Sequence, residues 1–190
     1  ITAGADRIML PMWKTIEEAN MFLKTVNRRI KTTLLLETKE AAESLDDVLR
    51  LPLVDEIHIG LNDLHLSYGL TFMFELLANG TVEQLCVKMK NAGIKYGFGG
   101  VARIGEGMLP AERVIMEHYR LGSTRAILSR SFCNTEEITD ISVIEKVFAE
   151  NMTQLRKYEA TLKNAEETAL LENANSIKQC VAEIVRRIQG

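Results

Sequence analysis

Apolar residues form short runs that alternate with amphipathic segments through the first two thirds of the chain. The runs predict five strands, at residues 6–12, 32–36, 54–60, 96–101 and 123–128. Most of these runs are nearly continuous in apolar residues, which is typical of parallel strands covered on both faces. No hairpin signal joins two consecutive runs. The pattern therefore predicts an α/β fold with a parallel sheet.

Between the runs, apolar residues recur at three- and four-residue spacing, which predicts helices. One predicted helix begins after Thr15, and the others span residues 40–51, 64–77, 82–91 and 111–121. After residue 134 the helical spacing continues to the end of the chain and approaches a heptad repeat in its last part. We expect two long helices over residues 135–190, packed on the preceding domain or on a neighbouring subunit.

Two architectures accommodate such a parallel sheet. An open doubly wound sheet that binds nucleotides normally carries a glycine-rich phosphate loop, and no GxGxxG or Walker motif follows any strand. A (β/α)8 TIM barrel normally needs about 250 residues, so a chain of 190 residues holds roughly its last five β/α units. The chain also begins at Ile1 and enters an apolar run almost at once. We therefore expect an N-terminally incomplete TIM barrel at residues 1–134, with a C-terminal helical extension.

Composition narrows the function classes. The formal net charge is -3 with no basic stripe, which argues against a nucleic-acid-binding protein. No apolar run approaches the length of a membrane span, and no signal peptide is visible. The three cysteines are far apart and odd in number, which indicates free thiols in a reducing compartment rather than a disulfide framework. We expect a cytoplasmic protein.

Two carboxylates follow consecutive strands. Glu37 comes directly after the second apolar run, and Asp63 follows the third. Parallel strands joined by a helix point the same way, so both acids are expected at the carboxyl edge of the sheet, where such folds bind ligands. Two convergent carboxylates can hold a hard divalent cation and leave its remaining positions to water and substrate. The alternative is a pair of solvated or helix-capping acids.

The motifs around these acids resemble one family. The stretches GADRIMLPM, LLLETKEAAESLDDVLRLPLVDEIHIGLNDLHLSYGL and, more loosely, GGVARIG and TRAILSRSF are similar to the HpcH/HpaI aldolase/citrate lyase family of the phosphoenolpyruvate/pyruvate barrel superfamily. The resemblance extends over residues 3–132. In that family, an E-T motif after one strand and a G-x-x-D-L motif after the next carry the metal-ligating carboxylates, which correspond here to Glu37 and Asp63.

The resemblance implies a metal-dependent carbon–carbon lyase of the class II aldolase type. Such an enzyme cleaves or forms a 2-keto acid through a pyruvate enolate, with magnesium or manganese held by Glu37 and Asp63. Asn62 and Asp63 would bind the substrate carboxylate through their backbone N–H groups, with Gly60 permitting its close approach, and Arg103 is a candidate for contacting an anionic substrate. Arg103 is as readily an ordinary surface arginine.

Other parts of the family pattern are absent or changed. The family's catalytic arginine, and the histidine that some members use as a base, belong to the first three β/α units and are not in this chain. Leu35 and Leu61 replace a glutamine and a proline that are common in the family's aldolases. A metal-dependent decarboxylase or a citrate-synthase-like condensing enzyme is therefore an alternative, as is a non-catalytic fragment or assembly subunit. Homo-oligomers are usual in the family.

The three histidines are expected to be mainly structural. His58 lies within the third strand, and we expect a core position for it rather than a catalytic one. His65 follows Asp63 and is expected to be a polar loop residue. His118 falls in the middle of a predicted helix, where a structural or exposed position is expected.

Overall fold

The protein, described here by a computed structural model of residues 1–190, contains one five-stranded parallel sheet. Helices connect its strands, and the sheet is the centre of the fold. The strands are β1 (Arg7–Leu10), β2 (Lys31–Leu36), β3 (Glu56–Ile59), β4 (Lys95–Val101) and β5 (Arg125–Leu128). The predicted α/β class and parallel sheet are confirmed.

The strands are hydrogen-bonded in chain order, from β1 through to β5. A doubly wound sheet reverses its strand order at a switch point, whereas a β/α barrel adds each strand beside the previous one. The sequential order therefore agrees with an arc of a barrel. The arc is open, because β1 and β5 each have a neighbour on one side only, so the sheet is a half barrel.

Nine α-helices and one short 3-10 turn (Arg130–Phe132) accompany the sheet. The first seven helices lie between the strands, and the last two follow β5. They are α1 (Ile16–Val26), α2 (Lys39–Glu43), α3 (Leu45–Val48), α4 (Leu61–Ser67), α5 (Glu75–Ala78), α6 (Thr81–Asn91), α7 (Ala111–Leu121), α8 (Ile141–Leu162) and α9 (Glu167–Gln189).

Two of the predicted helices are wrong as continuous elements. The segment 40–51 is divided at Ser44 into α2 and α3, and Ser44 Oγ donates to the carbonyl of Glu40. The segment 64–77 is divided by a turn at Gly69, whose φ is +68°. The Glu75 carboxylate then accepts from two backbone N–H groups, which starts a new helix. Local side chain to backbone bonds compete here with the continuous helix that the apolar spacing favours.

The hydrophobic core lies between the sheet and the helices on its outer face. Ile57 and Ile59 of β3 point to this face and are fully buried, as are Leu34 and Leu36 of β2. Strand residues alternate between the two faces, so Glu56 and His58 belong to the opposite, inner face of the sheet. The carboxylate of Glu56 is almost completely buried on that face.

The inner face carries one polar layer contributed by several strands. Glu56 accepts a hydrogen bond from Thr33 Oγ1 (3.1 Å) and one from Arg125 Nε (2.8 Å). Arg7 of β1 lies 3.4 Å from the same carboxylate and also donates to Thr33 Oγ1. Guanidinium groups from both edge strands meet one carboxylate on the central strand, which shows that the sheet curves around this face. Gly97 of β4 has no side chain between β3 and β5, which leaves a path for Arg125.

The last helix packs against two earlier helices. Ile177, Val181 and Ile184 of α9 are buried, and α9 contacts α5 and α7. Asn173 Nδ2 donates to the carbonyl of Arg113 at 3.0 Å, which fixes α9 along α7. The preceding helix α8 is held by Asn151, whose Nδ2 donates to the carbonyl of Phe132 at 2.8 Å.

The sequence also made predictions about the cysteines and about membrane spans. Cys86, Cys133 and Cys180 are all free, as the sequence indicated. None of the helices combines the length and the apolar character that crossing a bilayer requires.

Candidate functional site

The carboxyl ends of β2 and β3 lie side by side in the middle of the sheet. In their register, Leu36 is paired with Ile59, so the residues that follow them, Glu37 and Gly60, are neighbours. The backbone N–H of Gly60 donates to the carbonyl of Leu36 at 3.0 Å. The ladder thus continues to the point where Glu37 leaves the sheet, and this sets the position of its side chain.

The Glu37 side chain is held by the end of β1. Its Oε2 accepts a hydrogen bond from the backbone N–H of Met12 at 3.2 Å. Met12 has a φ of +53°, a left-handed conformation that is uncommon for a residue with a side chain and that turns its N–H toward Glu37. Strained backbone of this kind clusters at functional sites. The sequence carries no visible signal for this contact, because it depends on backbone conformation rather than on a side chain.

Gly60 makes room for the Glu37 side chain. A Cβ atom at position 60 would lie 2.5 Å from Glu37 Cγ and 2.6 Å from Oε1. These distances are shorter than any van der Waals contact, so no other residue fits here while Glu37 keeps its place. The sequence had suggested that this glycine admits a substrate. Its substrate role stays a prediction, and the structure gives it a role in seating Glu37.

Asp63 enters from the helix that follows β3. Gly60 is the N-cap of α4, and Asp63 lies in the first turn of that helix, half-buried. Its side chain accepts no hydrogen bond and forms no ion pair. Asn62 is exposed at the same turn, and no side chain caps this helix end. The first N–H groups of α4 therefore lack acceptors within the helix.

The two carboxylates are electrostatically coupled. Burial raises the pKa of Glu37 above its ordinary value, and the negative charge of nearby Asp63 raises it further, while the hydrogen bond from Met12 opposes both effects. Neither acid is neutralised by a lysine or arginine in an ion pair. A pair of adjacent, uncompensated carboxylates is stabilised by a cation, so the donor set fits a hard divalent ion.

The candidate metal ligands are these two acids alone. No group of three or more histidine, cysteine, aspartate or glutamate side chains is arranged to hold a metal. Two carboxylates agree with the usual coordination of magnesium, which is often bound by one or two carboxylates and keeps water or substrate in its other positions. It does not fit a closed structural zinc site, which needs four protein ligands.

Arg103 is not brought to the two acids. It follows β4, and its guanidinium donates to the carboxylate of Glu106 at 3.0 Å with nearly half of each side chain exposed. No contact joins Arg103 to Glu37 or Asp63. Its candidate role toward an anionic substrate stays a prediction.

The histidines are buried. His58 is 3% exposed and His118 is 7% exposed, in agreement with the structural positions expected for them. The expectation for His65 was wrong, because it lies inside α4, buried, with Nδ1 3.2 Å from the carbonyl of Leu61. Burial lowers the pKa of His58 and lowers that of His118 to about 3, so both are neutral near pH 7.

Comparison with known proteins defines what this architecture is similar to. No protein-family model matches the sequence. No curated protein matches it at the level of sequence either. Solved structures do match its fold.

Three of these structures illustrate the likeness. Citrate synthase SbnG matches with a TM-score of 0.55 and 16% identity over 83% of this chain and 66% of that one. An HpcH/HpaI aldolase/citrate lyase family protein from Burkholderia cenocepacia J2315 matches with a TM-score of 0.51 and 17% identity, over 81% of this chain and 66% of that one. The citrate lyase β subunit from M. tuberculosis, complexed with oxaloacetate and magnesium, matches with a TM-score of 0.52 and 12% identity, over 76% of this chain and 62% of that one.

These matches confirm the resemblance to the HpcH/HpaI aldolase/citrate lyase proteins at the level of the fold. At 12–17% identity they establish no more than the fold. The chain spans 62–66% of the length of these structures, which is less than two thirds of each.

Proposed function

We propose that this chain is part of a divalent-metal-dependent carbon–carbon lyase of the class II aldolase type, which acts on a 2-keto acid through a pyruvate enolate. Glu37 and Asp63 are the proposed metal ligands. The observation that carries the proposal is a pair of carboxylates without a cationic partner, one directly after β2 and one in the first turn of α4 after β3. They are near enough for the charge of Asp63 to raise the pKa of Glu37, and Glu37 is held by Met12 and seated against Gly60. The magnesium in the similar citrate lyase β subunit supports it.

The residues around the pair suit this chemistry. A divalent cation bound there supplies Lewis-acid polarisation of the keto oxygen on which negative charge develops. The Met12 N–H occupies Glu37 Oε2, which orients the carboxylate and keeps Oε1 beside Gly60. The free N–H groups at Asn62 and Asp63 are proposed to bind the substrate carboxylate, since they lack acceptors within α4.

We further propose that the complete enzyme is a (β/α)8 barrel to which this chain contributes five consecutive units. The inner face of this chain is exposed at its two edge strands, β1 and β5. Ile127 of β5 is 42% exposed and Met9 of β1 is 45% exposed, whereas β3 between them is fully buried. Three further units would cover these residues, and five of eight strands agrees with the 62–66% coverage of the similar structures.

Metal binding tests the proposal directly. We expect the intact protein to bind Mg2+ or Mn2+ in a calorimetric titration, and Glu37→Gln or Asp63→Asn to weaken binding by more than about 100-fold. Loss of groups that merely support metal ligands already costs about 10–100-fold, and these residues are the proposed ligands themselves. The matched control is Glu43→Gln, an exposed glutamate of α2 that pairs only with Lys39 and is expected to bind normally.

Activity distinguishes the alternatives. Mg2+-dependent exchange of the pyruvate methyl protons with solvent deuterium, followed by NMR, reports enolate formation and should vanish in Glu37→Gln. Metal-dependent loss of CO2 from oxaloacetate without exchange into pyruvate favours the decarboxylase. Metal binding by neither the intact protein nor this chain rules the lyase out and favours a non-catalytic assembly role.

A further inference from the structure

His58 is the residue before the last of β3 and lies on its inner face, and its side chain is almost fully buried. Its Nε2 is 3.1 Å from the carbonyl oxygen of Gly99 in the neighbouring strand β4. A carbonyl oxygen only accepts hydrogen bonds, so Nε2 carries the proton and donates it. The imidazole therefore connects β3 to β4 by a side chain to backbone bond, in addition to the ladder between the strands.

Gly99 belongs to an irregular part of β4. The pairing of β4 with β5 shifts register between Gly97 and Gly100, which places two residues of β4, Phe98 and Gly99, against Ala126 alone of β5. Gly99 has a φ of +62°, a conformation typical of glycine at a β-bulge. A bulge takes backbone groups out of the regular ladder. The carbonyl of Gly99 instead accepts the hydrogen bond from His58.

The bulge is also where helix α4 begins to pack. A Cβ atom at Gly99 would lie 3.0 Å from Leu61 Cδ1, so the bulge offers a close-fitting surface to that side chain. Leu61 is the first residue of α4 and is 1% exposed. Asp63 follows two residues later in the same helical turn. The place of Leu61 against Gly99 therefore determines where the first turn of α4 starts.

We propose that His58 is a positioning residue for the carboxylate pair: by donating from Nε2 to Gly99, it holds the β4 bulge against which Leu61 packs, and so places Asp63 beside Glu37. The role rests on the proposed metal function of that pair. His58 touches neither carboxylate and acts only through Gly99 and Leu61. The competing role is that of a space-filling core histidine.

Two substitutions separate these roles. His58→Gln keeps an N–H donor at a similar reach, whereas His58→Leu keeps a comparable volume without a donor. We expect His58→Leu to weaken Mn2+ binding about 10–100-fold in the intact protein, and His58→Gln to restore affinity to within about threefold of wild type, as expected when the donor itself matters. A space-filling role predicts the opposite preference, with the apolar variant the better one.

A second pair of substitutions approaches the same bulge without altering His58. Gly99→Ala introduces a Cβ against Leu61, and Gly93→Ala is the matched control because its φ is +69° and its Cβ would meet nothing within 4 Å. Both variants carry similar backbone strain. Only Gly99→Ala is expected to weaken Mn2+ binding. This pair keeps the proposal testable if His58→Leu fails to fold.

The closing experiment combines the Mn2+ titration with an NMR measurement on the metal-free protein. The NOE between the Leu61 methyl groups and the Gly99 α-protons should be lost in His58→Leu and kept in His58→Gln. An unchanged NOE and unchanged affinity in His58→Leu would overturn the role of His58 while leaving the metal site standing. Failure of the wild-type protein to bind Mn2+ refutes the metal function, and the positioning role with it.

Discussion

Strands β3 and β5 each have four residues, and their surroundings are very different. All four residues of β3 (EIHI) are buried, whereas the first three of β5 (RAIL) are exposed. β3 has a strand on each side and helices over its outer face, while β5 is an edge strand whose inner face is uncovered. The difference shows that the burial of a strand is decided by its neighbours and not by its own apolar content.

The same contrast separates the candidate site from the rest of the inner face. Glu37 and Asp63 emerge beside the well-packed β2 and β3, where a backbone donor and a glycine determine the place of the carboxylate. Arg125, at the edge, is 42% exposed in its side chain and relies on Glu56 of the central strand. The carboxylate of Glu37 is therefore positioned by more fixed groups than the guanidinium of Arg125 at the sheet edge.

The largest expected effect comes from truncating one isoleucine on each strand. Ile57→Ala in β3 should lower the free energy of unfolding by about 2–5 kcal/mol, because a fully buried side chain leaves a cavity. Ile127→Ala in β5 should cost less than about 1 kcal/mol, since 42% of the residue is already exposed. Urea unfolding of the two variants measures the difference.

This pair also tests the barrel proposal. If three further β/α units cover β5 in a longer protein, Ile127→Ala should be nearly as costly there as Ile57→Ala. Equal and large losses in the chain of residues 1–190 would contradict the contrast between the two strands.

A smaller effect is expected where β4 separates the two strands. A Cβ at Gly97 would lie 2.1 Å from the carbonyl oxygen of Arg125, so Gly97→Ala must push β5 away from β4. Overpacking of this kind typically costs about 1–3 kcal/mol. Gly100→Ala is the control in the same strand, because the nearest atom to its Cβ would be Ser129 Cβ, at 3.3 Å. Thermal unfolding should show a clear loss for Gly97→Ala alone, and equal losses would mean that the position of β5 does not depend on Gly97.

At neutral pH the smallest difference is expected on the covered outer side of the sheet, where the effect emerges only as the pH falls. His118 of α7 is stacked on Phe98 of β4, with ring centroids 3.7 Å apart, and burial lowers its pKa from 6.5 to about 3. In the unfolded chain His118 binds a proton near pH 6.5, whereas in the folded protein it stays neutral until the pH approaches 3. The stability contributed by the neutral imidazole is therefore complete above pH 6.5 and is lost as the pH falls toward 3.

The variant His118→Gln isolates this contribution. Between pH 6 and pH 4, the wild-type protein should lose stability with an extra slope of about 1.4 kcal/mol per pH unit, the value for one proton, relative to the variant. Unfolding by urea at several pH values measures the slope. Parallel pH profiles would show that His118 is protonated as easily in the folded protein as in the unfolded one.

Much of the fold could be predicted from local patterns. The five strands and the parallel order follow from apolar runs that alternate with helical spacing, and the placement of Glu37 and Asp63 after consecutive strands puts both acids at one edge. The broken helices were missed because the bonds made by Ser44 and Glu75 compete with helix continuation only in the folded backbone. The burial of β5 was overestimated because an apolar run does not reveal whether a neighbour covers it.

What the sequence by itself determined is the succession of β/α units and the two acids that end β2 and β3, since both depend on residue type and short-range spacing. Tertiary structure decided how those acids are held. The Met12 N–H, the space at Gly60 and the bulge at Gly99 come from strands remote in sequence, and each acts through backbone geometry that carries no residue pattern. Tertiary structure likewise decided that Glu56 joins both edges of the sheet, because only curvature brings Arg7 and Arg125 to one carboxylate.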